Sequence, residues 1–231
     1  KGVALNEITI ANNNKITVTG DSSVGIALRD SIGSGDGGVI TLTGTGSSDI
    51  VTGKNGTGIY AENSQVNLNT NYGIETKEGG VGIYLKKSDL LTNTTLEYKY
   101  SGSTNGRGIG IVFDKLNATN NTNLSLVNST ATTGGMVGIF ANGGGTFINN
   151  GTITGSSTAK EFGIIGENTN IDNRAAITFG HATNIADPNI ALYTKTNNLI
   201  TNSSNLTLGD NSIGIYGYAV NNSGDITVGD K

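Results

Sequence analysis

Residues suited to catalysis or metal binding are few in this chain of 231 residues. It has one histidine, His181, and no cysteine, which excludes thiolate metal sites, disulfides and histidine-based metal clusters. Its 18 carboxylates are scattered among turns, and Asp36, Asp49 and Asp89 follow no common register. Polysaccharide-cleaving enzymes need such groups clustered on one face. We therefore expect a non-enzymatic protein with no catalytic residue, no metal and no cofactor.

One segment has a composition suited to recognition. Residues 98–107 combine Tyr98, Lys99, Tyr100 and Arg107, and Tyr with Arg is the pairing favoured at interface hot spots. Loops on a rigid scaffold often bind ligands, so these four residues are candidate ligand contacts. The alternative is an ordinary long turn in which one or both tyrosines pack on the body of the protein.

The composition identifies the kind of scaffold. Gly, Asn, Thr and Ser together supply 116 residues, and only 14% of residues are charged. Weak helix formers at this frequency argue against an all-α fold, whereas the frequent Ile and Val favour strands. The net charge of −4 argues against a nucleic-acid partner.

A five-residue motif recurs along the whole chain. It reads apolar, Gly, Ile, bulky, then apolar or small, as in Val81-Gly82-Ile83-Tyr84-Leu85. The nine copies, two of them degenerate, have their second residue at positions 2, 25, 58, 82, 110, 138, 163, 191 and 214, a mean spacing of 26.5 residues. Asn-rich turns and short alternating strands separate the copies.

Repeats of two or three strands, each with one apolar face, predict a parallel β-helix. Stacked turns then bury one continuous core. We expect an all-β solenoid of about nine coils of roughly 26 residues, with a single β-helical segment over residues 1–231 that was excised from a longer repeat protein. Strand alternation predicts that Val81, Ile83 and Leu85 face the interior while Gly82 and Tyr84 face outward. Stacked Asn side chains can form ladders, and loops are expected at 30–38 and 181–189.

The fourth motif position should form an external column of bulky side chains. Tyr60, Tyr84 and Phe140 occupy it, and they are candidate ligand-binding residues because aromatic side chains give large contact areas. The alternative is that these rings only stack on one another and shield the sheet.

The repeat also resembles a known family. The strings Asn221-Asn222-Ser223-Gly224-Asp225-Ile226-Thr227-Val228-Gly229 and Asp210-Asn211-Ser212-Ile213-Gly214-Ile215-Tyr216-Gly217 resemble passenger domains of Gram-negative type V autotransporters, most of all the large fusobacterial outer-membrane adhesins. That resemblance implies a right-handed parallel β-helix displayed on the bacterial cell surface. It also implies tethering through an outer-membrane barrel outside this fragment, with the segment itself not inserted in the membrane.

The expected function is therefore that of an adhesin segment involved in virulence. Its partner would be a host-cell surface protein or glycan, or a partner bacterium, and we expect the segment to be monomeric. The alternatives are a β-helical polysaccharide-degrading enzyme and a structural spacer that binds nothing itself.

Overall fold

The computed structural model of the chain is a parallel β-helix. It describes residues 7–11, 15–29, 38–92, 94–102, 106–128, 135–155, 160–183 and 185–230, and these contain 26 strands and no helix. Most turns of the chain contribute one strand to each of three sides, and every paired strand runs parallel to its neighbours. The predicted class, an all-β solenoid, is confirmed.

The Gly-Ile motif builds an eight-stranded sheet on the first side. Its strands are β3 (Val24–Arg29), β6 (Thr57–Glu62), β9 (Val81–Lys86), β12 (Arg107–Asp114), β15 (Gly135–Ala141), β18 (Glu161–Gly166), β21 (Asn189–Thr194) and β24 (Ser212–Tyr216).

The alternating segments build a nine-stranded sheet on the second side. Its strands are β2 (Ile16–Val18), β5 (Ile50–Thr52), β8 (Tyr72–Thr76), β11 (Thr95–Tyr100), β14 (Asn123–Asn128), β17 (Ile153–Gly155), β20 (Ile177–Phe179), β23 (Leu206–Leu208) and β26 (Ile226–Val228).

The third side is divided between a four-stranded and a five-stranded sheet. The first contains β1 (Glu7–Ala11), β4 (Val39–Thr43), β7 (Gln65–Leu68) and β10 (Asp89–Leu90), and the second contains β13 (Thr119–Asn120), β16 (Thr146–Asn149), β19 (Asn170–Asn173), β22 (Leu199–Asn202) and β25 (Ala219–Asn222). Within the described ranges, eight turns have all three strands and a further turn has two, slightly fewer than the nine coils predicted.

Stacked columns of identical or similar side chains fill the interior. The third motif position forms one such column in direct register, and it consists of Ile26, Ile59, Ile83, Ile111, Ile139, Ile164, Leu192 and Ile215. Of these, Ile59 through Leu192 are fully buried. β-Branched side chains stack well at the strand spacing of about 4.8 Å, so the predicted core position is confirmed.

The motif glycines face the interior, so the prediction that Gly82 points outward with Tyr84 is wrong. A Cβ added at Gly82 would lie 2.4 Å from the Gly110 carbonyl oxygen and 3.0 Å from the Tyr98 ring. Val81, predicted to be internal, is only half-buried, whereas Gly82 and Ile83 are both buried. The alternation is interrupted at the glycine, since Gly82 and Ile83 both face inward. Backbone of the next turn and a side chain of the nine-stranded sheet leave no room there for a Cβ.

An asparagine ladder closes one corner of the last five turns. Each amide nitrogen donates to the amide oxygen of the next turn, from Asn120 through Asn149, Asn173 and Asn202 to Asn222, at 2.7 to 2.8 Å. Each also donates to a backbone carbonyl two residues further along, such as the Ala175 carbonyl for Asn173. This ladder satisfies buried amides that would otherwise be costly.

Two loops are predicted to depart from the regular turns. Residues 30–37 lie outside the described part of the chain, so that prediction stays a prediction. The connection from β20 to β21 is a loop, with His181 and Ile185 exposed. In it, the Nδ1 atom of His181 accepts a hydrogen bond from the Asp210 backbone N–H at 3.0 Å.

Candidate docking surface

The fourth motif position forms a continuous column on the outside of the eight-stranded sheet. We call this column the outer strip, and it consists of Ala27, Tyr60, Tyr84, Val112, Phe140, Ile165, Tyr193 and Tyr216. The predicted candidates Tyr60, Tyr84 and Phe140 all belong to it and are partly exposed. Register alone aligns them, since each strand pairs in parallel with the equivalent strand of the next turn.

The rings of the outer strip stack along the rod. Tyr60 and Tyr84 are stacked with ring centroids 5.7 Å apart, and Tyr193 and Tyr216 with centroids 5.5 Å apart. Such ordered pairs are worth more than their buried area alone. Both interpretations of this column therefore have support: the rings stack on one another, and they still present an accessible apolar surface, with Tyr216 56% exposed.

A second apolar column lies beside the outer strip. This flanking column holds the first motif residue of each strand, namely Val24, Thr57, Val81, Ile109, Val137, Phe162, Ile190 and Ile213. Phe162 makes an edge contact with Tyr193, with ring centroids 6.1 Å apart. The two columns together form one largely apolar band along the rod, in which Val112, Val137 and Ile190 are buried and Thr57 is polar.

Arg107 lies at the margin of this band. Its guanidinium carbon is 5.6 Å from the centre of the Phe162 ring, a distance at which a cation and an aromatic face attract. Gly135 pairs with Arg107 in the intervening strand and has no side chain to block the approach. The structure therefore brings Arg107 to the same surface as Tyr60, Tyr84 and Phe140.

Mostly charged side chains follow the other margin, four residues after the second residue of each motif. We call this set the edge column, and it contains Arg29, Glu62, Lys86, Asp114, Asn142, Glu167, Lys195 and Tyr218. The first four residues are in direct register, and Asn142, Glu167 and Lys195 follow directly after register-paired residues. Tyr218 is included by its spacing alone, since it lies directly before β25 in a shorter connection. This column was not predicted. Its members have a fixed spacing from the motif, and this spacing in the sequence distinguishes them from the carboxylates scattered among turns.

Hydrogen bonds and ion pairs fix the edge column in place. Glu62 accepts Arg29 at 2.8 Å and Lys86 at 2.9 Å, and the Tyr60 hydroxyl donates to Glu62 at 3.0 Å. The bond from Lys86, then that from Tyr60, lowers the pKa of Glu62. Glu62 therefore stays ionised under mildly acidic conditions.

The same pattern recurs at the next tyrosine of the outer strip. The Tyr84 hydroxyl donates to the Asp114 carboxylate at 3.1 Å. Partial burial and the nearby negative charge of Asp114 raise the pKa of Tyr84. Both ring hydroxyls are thus held towards the charged margin, which leaves the apolar parts of the rings on the band.

The other candidate ligand contacts do not join this surface, and for Tyr98 and Tyr100 the alternative applies, since both tyrosines pack on the body of the protein, from a strand rather than from a turn. Both side chains are fully buried from β11, because strand alternation in Thr95–Tyr100 turns them inward. The Tyr98 hydroxyl lies 2.6 Å from the Thr76 hydroxyl, and burial raises the Tyr98 pKa. Residues 103–105 lie outside the described ranges.

Lys99 lies on the outside of the nine-stranded sheet, away from the outer strip. Its ammonium is 3.2 Å from Glu75, and the Ser48 hydroxyl donates to the same carboxylate at 2.8 Å. These groups line an open polar depression of about 450 Å³ with Lys15 and Asp49. Asp49 is a turn-forming residue there, since it accepts the N–H groups of Thr45, Gly46 and Gly73.

Metal-binding and membrane-spanning features are absent from the described ranges. Among these residues, no three His, Asp or Glu side chains come close enough to share a metal ion. Nor does this part of the chain contain a helix with the length and apolar character needed to span a membrane.

Comparison of the chain with protein-family models, with curated proteins and with solved structures gave no match.

Proposed function

We propose that this chain is a non-enzymatic segment of a bacterial cell-surface adhesin, a β-helical rod that docks a partner on its apolar band. The observation that carries the proposal is the outer strip, a column that runs through eight strands and has a bulky side chain in seven of them, of which only Val112 is buried. The repeat strings that resemble autotransporter passenger domains support the extracellular location.

The size of the apolar band supports a binding role. Seven strand spacings give a length of about 34 Å, and a width of about 10 Å gives roughly 340 Å². Patches of this size on a soluble protein are often functional. The band is also rigid, because parallel hydrogen bonds hold every strand in place, so binding it costs little ordering entropy.

The ring geometry favours a protein partner over a flat sugar. Tyr60 covers one face of Tyr84, and Tyr193 covers one face of Tyr216, whereas a sugar ring stacks on an open aromatic face. Ring edges and β-branched side chains instead suit the apolar side chains of another protein. A surface protein of a host cell or of another bacterium is therefore the partner class that we propose.

The test is binding of the purified 231-residue chain to host cells, to partner bacteria and to a glycan array. Replacing Tyr60, Tyr84 and Phe140 together by Ser should abolish retention on cells while circular dichroism remains that of the native chain. The matched control replaces the exposed Thr154 and Thr207, on the outside of the nine-stranded sheet, by Ser.

Three results would contradict the proposal. Unchanged cell binding by the folded triple Ser variant would exclude the band as the docking surface. Binding to no cell or glycan would favour the spacer alternative. Turnover of a polysaccharide, abolished by one carboxylate substitution, would favour the enzyme.

A further inference from the structure

The edge column has a self-complementary order of charges. From the first to the last turn it reads Arg29, Glu62, Lys86, Asp114, Asn142, Glu167, Lys195, Tyr218. Rotating a second rod by 180° about an axis parallel to the strands places its edge column opposite the first, in reverse order. The pairs that meet are Arg29 with Tyr218, Glu62 with Lys195, Lys86 with Glu167, and Asp114 with Asn142.

We propose that the apolar band and its edge column bind a second copy of this chain, with the two rods antiparallel and face to face. This inference rests on the proposed docking role of the band and names its partner. The proposed dimer differs from the monomer expected from the sequence. The sequence does not show the edge column as one continuous surface, since that surface forms only when the turns are stacked. The two-fold axis would cross the band between Val112 and Phe140.

The charge pairs favour this arrangement at the three inner positions, where strand register supports the placement of both partners. Two are opposite charges, the third places a carboxylate against an amide, and the fourth places a guanidinium against an exposed tyrosine ring. Symmetry makes each pair occur twice. Tyr218 is 77% exposed and Lys195 is 66% exposed, so both are accessible to the second copy.

The apolar columns complement each other under the same rotation. In the outer strip the small Ala27 meets the large Tyr216, Tyr60 meets Tyr193, and Phe140 meets Val112, which is only 4% exposed. In the flanking column Val81 meets Phe162. Large side chains thus face smaller ones near the centre and at the ends, which allows close packing of two sheets about 10 Å apart.

The alternation of charge also disfavours the two neighbouring registers. If one rod slides by one turn, Lys86 meets Lys195 and Asp114 meets Glu167. If it slides by one turn the other way, Glu62 meets Glu167 and Asp114 meets the Asp114 of the second copy. Like charges placed directly opposite are repulsive, so both one-turn slides are disfavoured. Slides by two turns avoid like charges, but they reduce the overlap of the two rods from eight strands to six.

The contact area indicates a reversible dimer. A band about 34 Å long and about 17 Å wide, including the edge column, covers roughly 570 Å² per copy or about 1,100 Å² in total. This value lies at the low end for specific interfaces. A monomer–dimer equilibrium that depends on concentration is therefore expected, rather than a permanent dimer.

Sedimentation equilibrium of the 231-residue chain over a wide concentration series tests the association. Lys195→Glu places a carboxylate opposite Glu62 at two symmetric positions and should weaken dimerisation at least tenfold. The matched control is Lys54→Glu, which makes the same charge change at another exposed ion pair, Lys54 with Glu78, and should leave dimerisation within twofold. A chain that remains monomeric at its highest soluble concentration would overturn the inference, as would equal effects of the two variants.

Crosslinking tests the antiparallel arrangement, and the chain is convenient because it has no cysteine. A single cysteine in place of Phe140 lies one turn from its symmetry mate and should link through a short bismaleimide. A single cysteine in place of Tyr216 is separated from its mate by seven turns and should not link. Efficient linking at both positions would indicate parallel rods and overturn the inference.

The outcome for self-association can be separated from that for the proposed function. Lys195→Glu keeps every ring of the outer strip, whereas the triple Ser variant removes three. Cells that bind the chain but not the triple Ser variant, together with a chain that never dimerises, would leave the docking role intact and refute the second copy as the partner.

Discussion

Replacing Gly82 by Ala should destabilise the β-helix strongly, although alanine is small and the strand is regular. The added Cβ would lie 2.4 Å from the Gly110 carbonyl oxygen and 3.0 Å from the Tyr98 ring. The first contact involves backbone of the next turn and cannot be relieved by a rotamer change. Overpacking of this kind costs about 1–3 kcal/mol, and stretching an inter-strand hydrogen bond adds about 1 kcal/mol, so we expect a loss of about 2–4 kcal/mol.

The assay is urea unfolding followed by circular dichroism, with the midpoint and slope compared between variants. Hydrogen exchange of amides in β9 and β12 should show faster opening at the substituted turn, because repeat proteins contact mainly their neighbours. The matched control is Gly20→Ala, since no heavy atom lies within 4 Å of the Cβ position there. This change should be neutral or stabilising by less than about 1 kcal/mol.

The two orientations of the motif glycine give opposite results. If Gly82 pointed outward beside Tyr84, as strand alternation alone predicts, its alanine variant would behave like Gly20→Ala. An unfolding midpoint for Gly82→Ala within error of that control would therefore refute the inward-facing glycine and the close approach of successive turns.

Four further changes test other parts of the structure. Ile139→Asp should cost about 4 kcal/mol or more in urea unfolding, because it buries an unpaired charge in the core column. Asn173→Ala should cost about 1–3 kcal/mol by breaking the ladder, whereas the exposed Asn150→Ala should cost less than about 0.5 kcal/mol; equal losses would contradict a structural role for the ladder. Lys87→Asn should stabilise the chain by about 1 kcal/mol, since Lys87 has φ of 50°, a left-handed conformation that asparagine tolerates better. Burial raises the pKa of Tyr98, so the folded chain favours the protonated phenol. The contribution of this phenol to the free energy of unfolding is full below its usual pKa of 10.0 and is lost as the pH rises above that value. Tyr98→Phe should therefore reduce the loss of stability at high pH, and an unchanged dependence of the unfolding free energy on pH would refute the assignment.

Much of the fold is predictable because the repeat recurs at each turn. The spacing of the Gly-Ile motif identifies the eight strands of one sheet, and the sequence alone aligns Tyr60, Tyr84 and Phe140. Parallel stacking converts such a repeat directly into columns of side chains. The core isoleucines and the asparagine ladder follow from the same register.

The errors arise where local patterns compete with packing between sheets. Tyr98, Tyr100 and Arg107 resemble one polar segment in the sequence, but β11 continues through Tyr100 and turns both rings inward, while Arg107 begins the next strand on another side. The orientation of Gly82 depends on the Tyr98 ring, which belongs to a different sheet. A periodicity within one strand contains no information on such a contact.

Tandem organisation also affects how this chain can change over generations. Recombination between two copies of the Gly-Ile motif would add or remove one whole turn, which changes the length of the rod by about 4.8 Å. The interior would be preserved, since each turn packs mainly against its neighbours. Beyond the junction, every surface side chain would stay on the same side of the rod and move by one turn along its axis. Duplication or deletion of a turn would therefore change which residues lie opposite each other when two rods face each other.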